Sequence, residues 1–364
     1  MAIAVTTATI AATIAPTMAT ANAQPPSTTT SSVKTSSATV LYAKPKSTSA
    51  KCTKKSPCTL QRALKKSKSG TVIKLRTGKY GKVTLKGPQR LRNAKKNVRI
   101  IPATKRSKPT FARIDSHVPH VTWKGITVKG TWYLRAEANR STIEDSHING
   151  GGLFLRADDV TVQRSLFENG SSLDGIQIGG ANRVLVANNT IRNYDQNRNN
   201  GLHADCIQIF ESNDITLRAN RVSNCYNAGL IISVGGGDGM RNLLIESNYI
   251  QGCIVVKPDC RGGSAADLRE QSTDGITVRN NTFANGSLRV VPMKGLTFDR
   301  NIVTYLSACD SPITNTIVAK WNVNMCKMPP ILTTAGNKAA SITFTNQEAG
   351  NLTPTPPGQA TITP

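Results

Sequence analysis

The first 114 residues contain no aspartate or glutamate. The first acidic residue is Asp115, and 24 of the 46 lysines and arginines precede it. The formal net charge of +25 therefore comes almost wholly from the first third of the chain, which excludes an evenly distributed surface charge. Such an asymmetry favours a polyanionic partner such as an acidic polysaccharide, a wall polymer or nucleic acid. The alternative is a solvated basic face that serves solubility.

Aromatic residues are also scarce, at 5% of the 364 residues. The basic segment 44–108 therefore offers few rings on which bases could stack, and part of it is needed as a cap, so nucleic acid is not the favoured partner. Frequent glycine and asparagine favour short strands and turns over helices. No stretch beyond residue 23 is long and apolar enough to span a bilayer, so we expect no membrane insertion, and we expect a monomer.

The eight cysteines include no C-x-x-C pair and no neighbouring histidine cluster, which argues against a zinc site. An even number of cysteines in an exported chain favours disulfides instead. Residues 1–23 are apolar and end in the small-residue pattern Ala21-Asn22-Ala23, without a basic n-region. We interpret them as a signal peptide and predict a secreted protein.

Composition divides the rest of the chain into three parts. Residues 24–49 are rich in Ser, Thr and Pro, which predicts a disordered tether. Residues 348–364 are rich in Pro and Thr, which predicts a loose tail. The folded domain is predicted to span residues 50–347.

Within that domain, a strand–turn–strand unit recurs. Eight segments share an alternating strand, a polar turn and a further apolar residue: VTWKGITV (121–128), STIEDSHI (141–148), VTVQRSLF (160–167), VLVANNTI (184–191), ITLRANRV (215–222), LLIESNYI (243–250), GITVRNNTF (275–283) and LTFDRNIV (296–303). Their turn positions are Ile126, Ser146, Ser165, Asn189, Asn220, Asn248, Asn281 and Asn301. We expect the asparagines to hydrogen-bond from coil to coil.

A repeat of about 20 residues with this content is typical of a solenoid. The 3.6-residue apolar period of helical repeats and the L-x-x-L-x-L spacing of leucine-rich repeats are both missing, which leaves an all-β parallel β-helix of about ten coils. Stacked coils need caps. The segment SPCTLQRALKKSKSGTVIKLRTGKYGKVTLKG predicts a short helix at 59–66 and then strands. This segment resembles the cap and first coil of pectin-lyase-like right-handed β-helices. The resemblance to that family extends over residues 52–324.

The consecutive coils after Phe167, Ile191, Val222 and Ile250 carry long insertions. The second strands of four neighbouring coils align as GGLFLR (151–156), DGIQIGG (174–180), DCIQIF (205–210) and AGLIIS (228–233). This register predicts one inward apolar ladder of Leu153, Ile176, Ile207 and Leu230. Asp174 and Asp205 then occupy the same bend one coil apart, about 4.8 Å, with His203 beside them. Close carboxylates do not both ionise easily, so one pKa rises and an acid–base pair forms. The alternative is that Asp before Gly is a turn residue and that Gln177 and Gln208 merely stack.

The run DCIQIFESNDITLRANRVSNCYNAGLIISVGGG (205–237), together with the upstream SLDG, resembles the core of polygalacturonase-type glycoside hydrolases. The resemblance places Asp174, Asp205 and Cys206 at family positions, and it implies a Cys206–Cys225 disulfide. By proximity we add Cys52–Cys58, Cys253–Cys260 and Cys309–Cys326. Three departures weaken the implied hydrolysis. Ala204 replaces the first aspartate of D-D-C, Ala228 replaces the histidine of G-H-G, and the nearest match to R-I-K is LRVV with Arg289.

Three functions remain open. In a hydrolase acting on a uronate-containing polysaccharide, Asp205 and His203 are the acid–base pair, Asp174 assists, and Gln177 and Gln208 contact sugar hydroxyls. In a β-eliminating lyase, calcium is the expected cofactor, held by Asp174, Asp205 and Asp238. The basic candidates for proton abstraction or substrate binding are Arg241, Lys257, Arg261 and Arg269. In the third case, the protein is a non-catalytic polysaccharide- or wall-binding β-helix.

Overall fold

The computed structural model describes residues 38–196, 203–233, 239–253, 263–308, 311–322, 335–347 and 351–355. Within these ranges the chain winds into stacked coils whose strands form three parallel rows. The first row is a twelve-stranded parallel sheet. Its strands are Val40–Ala43, Val72–Leu75, Val98–Pro102, Val121–Lys124, Thr142–Glu144, Thr161–Gln163, Val184–Ala187, Ile215–Arg218, Arg241–Glu246, Asp274–Arg279, Thr297–Asp299 and Ile313–Thr314.

The second and third rows are joined into one nineteen-stranded parallel sheet by long strands that take part in both. The second row contains Thr127–Val128, His147–Asn149, Leu166–Glu168, Thr190–Tyr194, Arg221–Cys225, Tyr249–Gln251, Thr282–Ala284 and Lys338–Ala339. The third row contains Trp132–Leu134, Leu153–Leu155, Ile176–Gly179, Ile207–Phe210, Ala228–Ile232, Ser264–Leu268 and Leu288–Val290. The long strands are Gly78–Lys86, Pro109–His117, Ile302–Ala308 and Ile317–Trp321.

One short α-helix, Leu60–Lys66, is described, and it caps the first coils as predicted. The Thr59 side chain accepts a hydrogen bond from the backbone N–H of Arg62 at 3.3 Å, which is a standard N-cap. Leu60, Ala63 and Leu64 bury the apolar face of the helix. Short 3₁₀ turns follow at Gln89–Leu91 and Ala136–Ala138. No described helix has the length and apolar character needed to cross a membrane.

The predicted asparagine ladder is present and buried. Each Nδ2 in the run donates to the Oδ1 of the next coil, from Asn189 to Asn220 at 3.1 Å and from Asn220 to Asn248 at 3.0 Å. The ladder continues through Asn281 to Asn301 at 3.0 and 3.1 Å. The residue before each ladder position turns the corner with positive φ, as Asp145 does at 49° and Ala219 at 53°.

At each bend, the backbone N–H of a ladder residue has lost its backbone partner. The side-chain oxygen of the ladder residue in the next coil accepts this N–H instead. Ser146 and Ser165 do this in the early coils. Thr316 and Asn337 extend the ladder beyond the eight predicted positions. These two residues escaped prediction because their coils, at the end of the solenoid, depart from the repeat.

The predicted domain boundaries need two corrections. Strand Val40–Ala43 pairs with Val72–Leu75, and Ala43 is fully buried, so ordered structure begins inside the predicted tether. Strand Asn351–Thr355 pairs antiparallel with Thr343–Asn346, inside the predicted tail. The boundaries predicted from composition were misplaced at both ends, because an edge strand can form in a Ser/Thr/Pro-rich segment. Such a strand needs only one apolar face and a neighbouring strand with free backbone groups.

Two predicted disulfides are present, Cys52–Cys58 and Cys206–Cys225. Cys253 is disulfide-bonded, but its predicted partner Cys260 lies outside the described residues. The predicted Cys309–Cys326 pair also lies outside them, as does the predicted signal peptide.

Candidate functional site

The third row places the two aspartates as the sequence register predicted. Leu153 pairs with Ile176, Ile176 with Ile207, and Ile207 with Leu230, which forms the inward ladder. Asp174 and Asp205 therefore lie one above the other at the bend that enters this row. The close approach depends on Gly175, because a Cβ there would lie 2.7 Å from the Cys206 carbonyl oxygen.

The aspartates are linked through the backbone rather than through a shared proton. Asp174 Oδ1 accepts the backbone N–H of Asp205 at 3.0 Å, and Asp174 Oδ2 accepts from Gln177 Nε2 at 2.9 Å. Asp205 Oδ1 accepts from Asn227 Nδ2 at 2.8 Å. Asp205 Oδ2 is buried and has no hydrogen-bond partner among the described residues. One oxygen of the pair is therefore left uncommitted.

Burial controls the protonation of both carboxyls. Burial, together with the negative charge of Asp174, raises the pKa of Asp205 to about 7. Burial also raises the pKa of Asp174, although hydrogen bonds from Asp205 and Gln177 and the nearby His203 and Arg156 oppose the rise. Asp205 thus exchanges its proton near neutral pH, as a general acid or base must.

This raised pKa predicts a pH-dependent stability. The folded chain holds the Asp205 proton up to a pH of about 7, whereas an unfolded aspartate releases it near pH ~4. The contribution of this group is therefore complete below about pH 4 and is lost as the pH rises through about 7. Between those limits we expect the wild type to lose about 2–4 kcal/mol of unfolding free energy relative to Asp205→Asn.

Urea unfolding of both proteins across that pH range measures the difference. Groups that do not interact with Asp205 titrate alike in the two proteins and cancel in the comparison. Parallel stability curves would show that Asp205 is ionised in the folded chain throughout.

A polar ladder covers the aspartate pair along the outer surface of the third row. Gln177 Nε2 donates to Gln208 Oε1 at 2.8 Å, and Gln208 Nε2 donates to Ser233 Oγ at 3.4 Å. At the other end, Arg156 Nη2 donates to Gln177 Oε1. The glutamine prediction is thus correct in placement, and both residues are only half-buried. Their amides fix each other's orientation.

The ladder and the aspartates enclose a cleft of about 450 Å³. It is lined by Phe154, Ser172, Leu173, Asp174, Gln177, His203, Asp205 and Gln208. His203 is exposed and reaches this cleft as predicted. Asp205 forms the buried floor at 0% exposure, and Asp174 is 6% exposed. Asp174 and His203 are therefore more accessible to an incoming molecule than Asp205 is.

An aromatic pair extends the cleft toward the N-terminal coils. Tyr133 stacks on Phe154 with ring centroids 4.8 Å apart and planes at 15°. The Arg135 guanidinium lies 4.5 Å from the Tyr133 ring centre, and the Arg113 guanidinium lies 4.8 Å from it. The Arg156 guanidinium lies 5.4 Å from the Phe210 ring centre and donates to Gln177, and burial lowers its pKa. Arginine nevertheless keeps its charge in proteins.

Sequence reasoning missed Arg156 and Asn227 as members of the site. Strict alternation along GGLFLR places Arg156 on the same outer surface as Phe154, so that signal was available. Asn227 had no such signal, because it reaches Asp205 from a neighbouring coil.

The predicted basic residues are not gathered at the cleft. Arg241 lines a separate cleft with Glu211, Asn213 and Asp274, and its role in proton abstraction or substrate binding stays a prediction. Arg269 lies close enough to lower the pKa of Asp205, and it pairs with Asp267 at 3.6 Å. Arg289 also pairs with Asp267, at 2.5 Å. Lys257 and Arg261 lie outside the described residues.

The described oxygens do not fit the expected calcium ion. Calcium takes about six to eight oxygen ligands. Both oxygens of Asp174 already accept N–H donors, which leaves Asp205 Oδ2 as the uncommitted carboxylate oxygen of the pair. The described residues include no group of three or more His, Cys, Asp or Glu side chains placed to hold a metal. Asp238, the third predicted ligand, lies outside the described ranges.

The parallel rows, the buried ladder and the polar cleft define a parallel β-helix protein with a candidate site on one row. The family model "Right handed beta helix region" matches residues 124–310, just over half of the chain. The protein belongs to this right-handed β-helix family, with the pectin-lyase-like fold that the cap and first coil predicted. No curated protein sequence matches the chain.

Solved structures are similar to this chain at low sequence identity. The A-module of mannuronan C-5 epimerase AlgE6 from Azotobacter vinelandii has a TM-score of 0.53 and 14% identity, over 71% of this chain and 81% of that one. Pectate lyase Pel9A has a TM-score of 0.49 and 12% identity, over 85% and 83% of the two chains. An alginate lyase from Paenibacillus sp. str. FPU-7 has a TM-score of 0.41 and 16% identity, over 78% and 94%. At these identities the likeness concerns the fold.

Proposed function

We propose that this protein is an enzyme that cleaves an acidic, uronate-containing polysaccharide in the cleft above Asp174 and Asp205. The observation that carries the proposal is the buried carboxyl pair beneath a ladder of fixed amides. Asp205 has one uncommitted oxygen and a pKa raised to about 7, which suits proton transfer at neutral pH.

The surroundings of the pair suit a sugar polymer. The carbonyl oxygens of Gln177 and Gln208 can accept from sugar hydroxyls, and Gln208 Nε2 has a second N–H to donate. Both N–H groups of Gln177 are already donated to Asp174 and Gln208. Phe154 lines the cleft beside these glutamines and offers an apolar side chain against which a pyranose ring can pack. Arg156 supplies a fixed positive charge for a uronate carboxylate.

The same residues serve either cleavage reaction. In both, protonated Asp205 donates its proton to the glycosidic oxygen as the C–O bond breaks. In hydrolysis, ionised Asp174 takes a proton from the attacking water. In elimination, Asp174 or His203 takes the C5 proton, and Arg156 neutralises the adjacent carboxylate so that this proton becomes acidic. Because Asp205 acts as the acid in both reactions, activity should fall as the pH rises through about 7.

A two-channel assay tests the proposal and identifies the reaction. Polygalacturonate, alginate and a glycosaminoglycan are incubated with the full chain, and reducing ends and unsaturated-product absorbance are followed together. Reducing ends alone indicate hydrolysis, and both signals together indicate elimination. Calcium addition and chelation in parallel test the cofactor prediction. Silence in both channels on all substrates would contradict the enzymatic proposal.

A second candidate is a non-catalytic polysaccharide-binding protein. Two observations favour it: Asp205 has no exposed surface, and Ala204 and Ala228 flank it where the resembled hydrolases carry Asp and His. Retention on one polysaccharide with neither product would support this function.

We further infer secretion as a monomer. The disulfides Cys52–Cys58 and Cys206–Cys225 support an oxidising compartment.

A further inference from the structure

We propose that the first coils carry a second anion-binding site, separate from the cleft, that holds the protein on a carboxylate-bearing polysaccharide. The site is a surface cleft of about 450 Å³ at the end of the first strand row. It is lined by Tyr42, Lys54, Lys74, Arg76, Thr77, Ala103, Thr104 and Ser107. It shares no lining residue with the cleft above Asp174 and Asp205.

Three cations converge on this site without a carboxylate partner among the described residues. Lys54, Lys74 and Arg76 take part in no described ion pair, and the chain has no acidic residue before Asp115. The contacts of Arg76 and Lys74 leave their charges uncompensated. Arg76 Nη2 donates to the Lys54 carbonyl at 2.8 Å, and the Lys74 ammonium lies 5.9 Å from the Tyr42 ring centre. Hydroxyls of Thr104 and Ser107, 3.0 Å apart, complete the polar lining.

Further along the solenoid, cations of the same strand row have carboxylate partners. Tyr42 and Lys74 pair in register and are the first two members of a column of outward-facing side chains, one from each coil. In later coils, that column brings Lys124 within 3.3 Å of Glu144, and it places Glu246 between Arg218 and Arg279. Along this column, the cations of the later coils are therefore compensated from coil to coil. The uncompensated first coils depart from that rule, and their mutual repulsion is relieved when an anionic ligand binds.

The lining favours a polysaccharide over a nucleic acid. Base binding depends on aromatic faces for stacking. The Lys74 ammonium lies over one face of the Tyr42 ring at 5.9 Å, and Tyr80 is packed on Phe111 with its hydroxyl donating to the Ala43 carbonyl. Tyr42 is the one aromatic residue among the described residues that line this cleft, beside three cations and three hydroxyl-bearing residues, which suits repeated carboxylates better than stacked bases.

The test compares two triple variants of the full chain with equal net charge. K54E/K74E/R76E reverses the site, and K129E/K320E/K338E reverses three exposed cations of later coils. We expect the first to bind fluorescent polygalacturonate about tenfold more weakly at about 50 mM NaCl, with a shallower salt dependence, and the control to change less than about twofold. Asp205→Asn should keep this binding. Binding at the first coils without any cleavage would contradict the catalytic proposal alone, whereas cleavage without this binding would contradict the second site alone.

Lysine-acetylation footprinting provides a readout that does not depend on variant folding. Bound polygalacturonate should protect Lys54 and Lys74 and leave Lys320 and Lys338 reactive. Equal losses in the two triple variants, or no protection of Lys54 and Lys74, would overturn the proposal. Tighter binding of a DNA duplex than of polygalacturonate under the same conditions would also overturn it.

Discussion

Asp205→Asn should lower turnover of the polysaccharide substrate by about 10²–10⁴-fold, with little change in polymer binding. Asparagine keeps the acceptor that receives Asn227 Nδ2 at 2.8 Å, but it cannot hold or release the proton. The loss should therefore appear in kcat rather than KM, because the glutamine ladder and the aromatic pair remain in place. Initial rates over a range of substrate concentrations measure it in whichever product channel is active.

Asp158→Asn is the matched control. Asp158 also ties two coils together, since its Oδ1 accepts the backbone N–H of Asn182 at 2.9 Å, but it does not line the cleft. It should retain activity within about twofold, as surface substitutions away from a site generally do. Undiminished turnover in Asp205→Asn, or an equal loss in Asp158→Asn, would show that Asp205 is not the acid.

Asn220→Ala should destabilise the solenoid by about 3–5 kcal/mol, because it leaves several buried polar groups without partners. Asn220 is fully buried. Its Oδ1 accepts from the backbone N–H and Nδ2 of Asn189, at 3.0 and 3.1 Å. Its Nδ2 donates to the Val186 carbonyl at 2.8 Å and to Asn248 Oδ1 at 3.0 Å. Urea unfolding at constant pH measures the change.

Asn220→Ser provides a graded comparison, because serine occupies the same ladder position at Ser146 and Ser165. Its hydroxyl can still accept the N–H of the preceding coil, so we expect about half of the loss seen for alanine. Equal stability of the wild type and Asn220→Ala would show that the ladder does not hold the coils together.

The ladder also bears on the candidate site. Asn189 belongs to the coil that presents Asp205, and Asn220 belongs to the coil that contributes Asn227. Loss of the ladder should therefore loosen the surroundings of Asp205 as well. A partial loss of activity in Asn220→Ser is therefore expected without any change at the cleft itself.

The periodicity of the sequence alone determined the solenoid, because each coil repeats the same local interactions. Alternating apolar residues make strands, and a polar residue at each bend must replace a lost backbone partner. That rule accounts for seven of the eight predicted turn positions, since the eighth, Ile126, is apolar and buried. The parallel stack also fixes which residues are neighbours, and so the register of Asp174 over Asp205. It failed at Val40–Ala43 and at Asn351–Thr355, where an edge strand carries no repeat signal.

Tertiary structure alone decided which side chains meet around the pair. Asn227 reaches Asp205 from another coil, Arg156 orients Gln177, and Arg241 lies in a different cleft because its strand belongs to the first row. The raised pKa of Asp205 depends on how completely these neighbours exclude water. Sequence spacing fixes which residues stack in register, whereas burial and contacts between strand rows depend on the lengths and paths of the intervening loops.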